Sequence, residues 1–589
     1  MDFICAGVVL VLLLWMGSQL WALNRNYRAA RLMGLPIVLC PFDPDSVSYP
    51  SISSLYMAPI ITPRSTLLKP RQANYSKFVH AVASEPLRLV LRPLLPTAAF
   101  AAFELTIWGW EFHDKAAVHE RLGPAFVLVT TGLNQLICAD PSMADAVLAR
   151  RRDFLHPDIT IKAMGLLGPN VVTNESWSRQ RRIVAPALNE RISAGVWKES
   201  ADQASSFVDT LFSTRPSCFP LSPLLSSSKS TETDPSLRTI AINVLTRVAY
   251  GRHTPFVLPS SSRAPVAAMS YVDAISLVTE LLVPAAFIPA RVLSLPIMPR
   301  ILQRLGIALR YAGQTKITGQ QDTVDTIMRT LVRLSDQARC QHDNGSHTSL
   351  DDKGSKISSS VASRTYLTEE EIAGNLFIFT AAGFDTTSNT MFYAVTLLAA
   401  YPEWQSWVQA EIDTVLGTMP GSSGDQSPPL DYAVAFPKLT RCLAVMHIVK
   451  TADDVLWHGE FVMRQTATTQ SLPSGQCAAT PICVPAPCAV YVNTMALHTS
   501  TSGWGADALV FNPARWLQPG PREGAREVLV APPRGIYLPW SVGPRKCPGQ
   551  KMSQVEFVSV ISTLFGRCTA EPFPRRGRPT GFNATDEQI

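Results

Sequence analysis

The chain has 589 residues, 46% of them hydrophobic, and a formal charge of +6. That is the composition of a globular protein long enough for one large core or two domains. No dense Lys/Arg tract interleaved with aromatics is present, so no nucleic-acid partner is expected. The 11 cysteines are odd in number and scattered, which argues against a secreted disulfide scaffold. Cys477, Cys483 and Cys488 cluster, but their wide spacing and lack of histidine partners fit no zinc template and read as strand and loop cysteines.

Phe3 to Leu23 carries no charge, is dense in Val and Leu, and is long enough to cross a bilayer as a helix. Arg25, Arg28 and Arg31 follow at once, which puts the following domain in the cytosol and favours a retained signal-anchor. A cleaved signal peptide is the competing reading, but Met1-Asp2 offers no basic n-region. Trp15 and Trp21 suit interfacial anchors. Gly34-Leu35-Pro36 and Pro41 to Pro44 read as a turn-rich hinge. Residues 1–23 are thus expected as anchor, 24–95 as linker and membrane-proximal segment, and 96–589 as the main domain. Pro93 to Trp110 reads as a surface patch, since Glu104 and its prolines argue against a second span.

Phe126 to Val129 and Gln135 to Cys138 predict a strand pair, followed by a short helix over Met143 to Arg151. The apolar spacing predicts helices over Trp177 to Ala194, Trp197 to Phe212, Leu237 to Tyr250, Asp322 to Arg339 and Thr368 to Tyr401. Ser226 to Asp234, His342 to Ser363 and Gly417 to Pro429 read as polar loops, and Ala570 to Pro574 as the start of a strand. The fold class is mainly α with small β-sheets.

Two segments carry chemistry. In Pro539 to Gly549 a cysteine, Cys547, sits on a Gly/Pro-bounded loop at the mouth of the helix-like run Gln550 to Phe565. Glycines let backbone N–H groups approach the sulfur, and the helix N-terminus with Arg545 favours a thiolate. A thiolate bound to haem iron pushes electron density that favours O–O cleavage. A buried structural cysteine is the bland alternative. In the helix opened by Thr368 and Glu369 to Glu371, the run Ala382-Gly383-Phe384-Asp385-Thr386-Thr387 is a poor local choice, which suits a helix that needs space and a hydroxyl there.

Gly543, Arg545, Cys547 and Gly549, with Trp540 in place of the usual Phe, resemble the haem loop of the cytochrome P450 family. Ala382, Gly383, Asp385, Thr386 and Thr387 resemble its oxygen-activating helix, and Trp177 with Arg181 its Trp-x-x-x-Arg pair. Trp110-Glu111-Phe112 and Ala496 to Thr499 look like fungal microsomal members, many of which serve secondary metabolism. The resemblance implies a cytochrome P450 fold behind a membrane anchor, and a heme b whose iron takes Cys547 as axial thiolate. It implies that Trp177, Arg181 and Arg545 hold the propionates, that Gly383 makes room for oxygen, and that Thr386 and Asp385 manage its protons. The implied activity is a monooxygenase acting with O2 on a small apolar organic substrate. Its electrons would come from NADPH-cytochrome P450 reductase at the endoplasmic reticulum membrane. Phe377, Phe379 and Phe384 suggest an apolar pocket, although Phe384 equally suits core packing.

One element departs from the family. Its Glu-x-x-Arg helix should follow Phe436 to Met446, yet the chain continues His447-Ile448-Val449-Lys450-Thr451-Ala452-Asp453-Asp454. Arg515 would then lack its acidic partner, and a further difference is that the chain stops soon after Pro572. These departures motivate a second reading, a binding-only or non-functional relative. A peroxide isomerase or dehydratase is a weaker third reading, since such chemistry has no use for Asp385 and Thr386.

Overall fold

The structure, a computed structural model of the chain, describes residues 2–40, 91–105, 110–166, 168–172, 177–213, 230–258, 274, 277–279, 281, 285, 288–314, 326–345, 366–417, 431–453, 463–473, 481–522 and 525–572. The helices that shape the interior are α1 (Asp2–Arg31), α2 (Pro141–Ala149), α3 (Trp177–Val184), α4 (Glu190–Ser213) and α5 (Ser230–Tyr250). They continue with α6 (Ile327–Gly345), α7 (Glu369–Ala400), α8 (Pro402–Leu416), α9 (Thr440–Asp453) and α10 (Gln550–Phe565). α7 is the spine. A capping box starts it: the Thr368 hydroxyl accepts from the Glu371 N–H while the Glu371 carboxylate accepts from the Thr368 N–H. Around it α5, α9 and α10 bury Val244, Val449, Phe557 and Val560 in one apolar core with Phe377 and Phe384. Burying such side chains is the main force ordering these helices, at about 1.5–3 kcal/mol for each large one.

A six-stranded sheet lies to one side, in the order β1 (Ile37–Leu39), β2 (Ala125–Val129), β3 (Asn134–Cys138), β6 (Cys488–Val492), β5 (Met463–Thr466), β4 (Phe154–Leu155). β2 and β3 pair antiparallel with Phe126 opposite Ile137, and β3 runs parallel to β6 with Leu136 opposite Val490. β2 and β3 are buried along their whole length; β2 reads as an unbroken apolar run, while β3 opens with the buried amides Asn134 and Gln135 before Leu136, Ile137 and Cys138.

The expected strand pair and the helices at α2, α7 and α10 are present. Trp177 to Ala194 is not one helix. α3 ends at Val184, Ala185–Ala187 tighten into a 3-10 turn, and α4 begins at Glu190. Pro186 supplies no N–H to continue the ladder. The Asn189 side chain then accepts from the N–H groups of Arg191 at 3.0 Å and Ile192 at 3.2 Å, opening α4, which absorbs the expected Trp197 to Phe212 helix.

The loop expected over Ser226 to Asp234 is helical from Ser230 onward, because Ser, Thr and acidic residues suit a first helical turn. Likewise α6 runs on to Gly345, into the loop expected from His342. Residues 226–229, 346–363 and 418–429 of the expected loops lie outside the described residues, as do 322–325. At the other end, 570–572 form no strand. Instead the Gln405 side chain from α8 donates to the Ala570 carbonyl and accepts from its N–H, both at 2.9 Å.

Residues 24–40, expected in the linker, fold into the end of α1 and β1. Asn26 there donates to the carbonyls of Thr130 at 2.9 Å and Gly132 at 2.7 Å. Further toward the N-terminus α1 exposes Leu13, Leu14, Trp15, Leu20 and Trp21. Among the described residues no single helix is long and apolar enough to cross a membrane. The expected span Phe3 to Leu23 falls partly outside them, at the side chains of 3–6, 8–9 and 11–12.

Candidate functional site

The loop from Pro539 to Gly549 folds back so that the Cys547 N–H donates to the Trp540 carbonyl at 2.8 Å and the Lys546 N–H to that of Gly543 at 3.2 Å. Gly543 has φ +72°, and a Cβ there would stand 2.8 Å from the Leu148 carbonyl oxygen, so only glycine lets the loop press on the end of α2. The Trp540 indole N–H donates to Ser553 of α10 at 3.2 Å, tying loop to helix. Cys547 is exposed and opens into a cavity between the loop and the helices. The crowding of protein around it pushes its thiol up by stripping solvent, while the Gly549 N–H and then the charges of Lys450, Arg181 and Lys546 pull it down.

α7 forms a second part of that cavity. Ala382, Gly383, Thr386 and Thr387 line it, with Trp540, Arg545, Cys547 and Gly549 from the loop, in a space of about 220 Å³. The threonine hydroxyls bond back within the helix, Thr386 to the Ala382 carbonyl at 2.8 Å and Thr387 to that of Gly383 at 2.9 Å. Asp385 faces elsewhere. It is buried and held by Arg238 of α5 at 3.1 Å, and the same guanidinium lies 5.1 Å from the centre of the Phe384 ring. Phe377 and Phe384 are core residues, whereas Phe379 lines the cavity. A Cβ on Gly383 would meet only Leu245 of α5, at 3.4 Å.

Cations converge on the same cavity. Arg181, Arg464 and Arg545 line it with His156. Trp177 does not. It lies behind them with the Arg545 guanidinium 4.5 Å from its ring centre, and the Arg545 side chain donates to the Val172 carbonyl at 3.1 Å. Burial and then like charge act together here. His156 is pushed down to about 2 by burial, Arg464 and Arg545; Arg464 to about 9 by burial and Arg545; Arg545 to about 10 by burial and Arg151. The buried Nε of Arg545 makes no hydrogen bond. Such a crowd suits a ligand that brings two carboxylates of its own.

Sequence reasoning finds Ala382, Gly383, Thr386, Arg181, Trp540, Arg545, Cys547 and Gly549, which the fold brings to one cavity. Trp177, Gly543 and Asp385 stand behind its walls. His156, Arg464, Lys450 and Glu556 also line it and were missed. They come from four separate stretches of chain, none with a local pattern that marks a ligand. Glu556, one of them, is pushed up to about 8 by burial alone.

The missing Glu-x-x-Arg helix has a physical counterpart. α9 forms without the pair, capped from outside by Glu411 of α8, whose carboxylate accepts from Thr440 at 3.0 Å and the Arg441 N–H at 2.9 Å. Arg515 pairs instead with Asp507 at 2.9 Å.

A family described as cytochrome P450 matches residues 101–435 and 481–586 of this chain. The chain belongs to the cytochrome P450 family. The gap in the match, between 435 and 481, contains α9. Among relatives, a phomenoic acid biosynthesis cluster cytochrome P450 monooxygenase of Leptosphaeria maculans is 28% identical over 85% of this chain and 86% of its own. A cytochrome P450 monooxygenase of Penicillium roqueforti is 27% identical over 79% and 78%. A zebra fish cytochrome P450 structure with progesterone is similar at 19% identity and a TM-score of 0.52, covering 77% of this chain and 92% of that one, which shows the P450 fold. P450 membership implies a haem with cysteine ligation. The cavity's thiol, its crowd of cations and the orphaned Arg545 nitrogen fit that group.

Proposed function

We propose that this P450 is a haem-thiolate monooxygenase that inserts one oxygen atom from O2 into an apolar organic substrate, in fungal secondary metabolism. The observation that carries this reading is that Cys547 and the Ala382–Gly383–Thr386 stretch of α7 wall one cavity. When bound, the haem supplies the oxygen chemistry. The Cys547 sulfur would hold the iron, with the Gly549 N–H and nearby cations favouring its ionised form. Arg181, Arg464, Arg545 and His156 would hold the propionates. Thr386 would present its hydroxyl to oxygen, and Asp385, held by Arg238, would reach protons from the α5 side. Phe379 and Leu245 give the substrate an apolar wall.

Electrons would come from NADPH through a cytochrome P450 reductase. The exposed apolar side chains of α1 support an anchor in the endoplasmic reticulum membrane, with the catalytic domain cytosolic. The biosynthesis-cluster relative supports the metabolic setting.

The test is the difference spectrum of the reduced protein with carbon monoxide. A Soret band at the thiolate position, lost in Cys547→Ala, is the expected result. A chain that takes up no haem, or a Cys547→Ala variant with an unchanged spectrum, overturns the reading.

A further inference from the structure

Where the family pattern leads one to look for Glu-x-x-Arg, α9 carries a different charge toward the site. Met446 and Lys450 are one turn apart, i and i+4, and both line the cavity that holds Cys547. Lys450 is only 4% exposed. Enclosing an ammonium costs several kcal/mol in general terms unless an anion or other polar groups compensate. The helix that presents it is fixed in rotation at three points. Glu411 caps the start, the Tyr537 hydroxyl donates to the His447 carbonyl at 3.1 Å, and the His447 ring stacks on Tyr537 with centroids 5.6 Å apart. Lys450 therefore reaches the cavity by a set geometry and not as a chance side chain.

We propose that Lys450 is a positioning residue for Cys547, whose buried ammonium offsets the negative charge of the iron-bound sulfur and raises the reduction potential of the haem. This rests on the haem-thiolate reading above. The physical ground is that a fixed positive charge near a ligand sulfur, in a site sheltered from water, weakens the push of that ligand and favours the more negative, reduced form of the centre. Of the cations that line the cavity with Cys547, Lys450 alone belongs to α9.

The experiment is spectroelectrochemical titration of the purified full chain, comparing the unaltered protein with Lys450→Met and Lys450→Arg. The expected result is a midpoint shifted to more negative potential in Lys450→Met and left at its original value in Lys450→Arg. An unshifted midpoint in Lys450→Met overturns the proposal, as does an equal shift in both variants. If Lys450→Met takes up no haem, haem content decides. Uptake restored by Lys450→Arg supports the charge, and loss in both variants overturns it. The carbon monoxide spectrum of the unaltered protein separates the two readings. If its thiolate band is absent, the haem-thiolate assignment fails and takes this one with it. If the band is present, only the role of Lys450 is in question.

Discussion

At Glu556 a carboxylic acid is buried on α10 with one oxygen making no hydrogen bond, and its pKa is lifted from 4.5 to about 8 by the loss of solvent. The folded chain therefore binds this proton more tightly than the unfolded chain. Its contribution to stability is fully present below pH 4.5 and is lost as pH rises through about 8. Glu556→Gln keeps the shape and removes the charge. Thermal unfolding should show the variant nearly equal to the parent at about pH 5 and clearly more stable at about pH 9. A gap that stays constant across that range would show that the acid is ionised in the fold. Arg179 and Glu371 pose the opposite case: both are 8% exposed and form an ion pair joining α3 to α7. Gln180 and Asn375 extend it, with the Asn375 amide donating to Gln180 at 2.6 Å. Arg179→Ala strands the carboxylate and should cost about 3–5 kcal/mol in denaturant unfolding.

Between elements, two glycines set how closely a loop approaches α7. A Cβ on Gly374 would stand 2.3 Å from the Pro169 carbonyl oxygen, and one on Gly168 2.7 Å from that of Glu370. Gly374→Ala must push the 168–172 loop away from the helix and should lower stability by about 1–3 kcal/mol, read by the same unfolding curves. Arg515→Ala should do much less. Arg515 itself is 12% exposed, but its partner Asp507 is 56% exposed, so water screens the pair and the fall in melting temperature should be well below that of Arg179→Ala. The sequence's motifs located the cavity because Cys547 and Thr386 each lie in a short stretch whose backbone demands are local. The boundary at Pro186 was legible too, but apolar periodicity carried the reading past it. Trp177 and Gly543 were legible as residues and misleading as contacts, since only the tertiary placement of Arg545 and Leu148 sets them behind the wall. His156, Arg464 and Lys450 were invisible for the same reason: each is one ordinary side chain until the sheet and α9 bring it round.

For the whole molecule, the proposed anchor makes a clear expectation. Removing residues 2–23 should move the chain from the membrane pellet to the supernatant on carbonate washing, while the docked end of α1 keeps the sheet intact. A truncated chain that still pellets would show that another surface holds it to lipid. The far end of the described chain is secured differently. There the amide of Gln405 pairs with Ala570 in both directions, as a neighbouring strand would. That side chain thus clasps Ala570, next to Gln409, whose amide donates to the carbonyls of Phe565 at 3.1 Å and Cys568 at 3.2 Å. Swapping Gln405 for leucine should leave the cavity around Cys547 unchanged and make the stretch around Ala570 easier for a protease to cut.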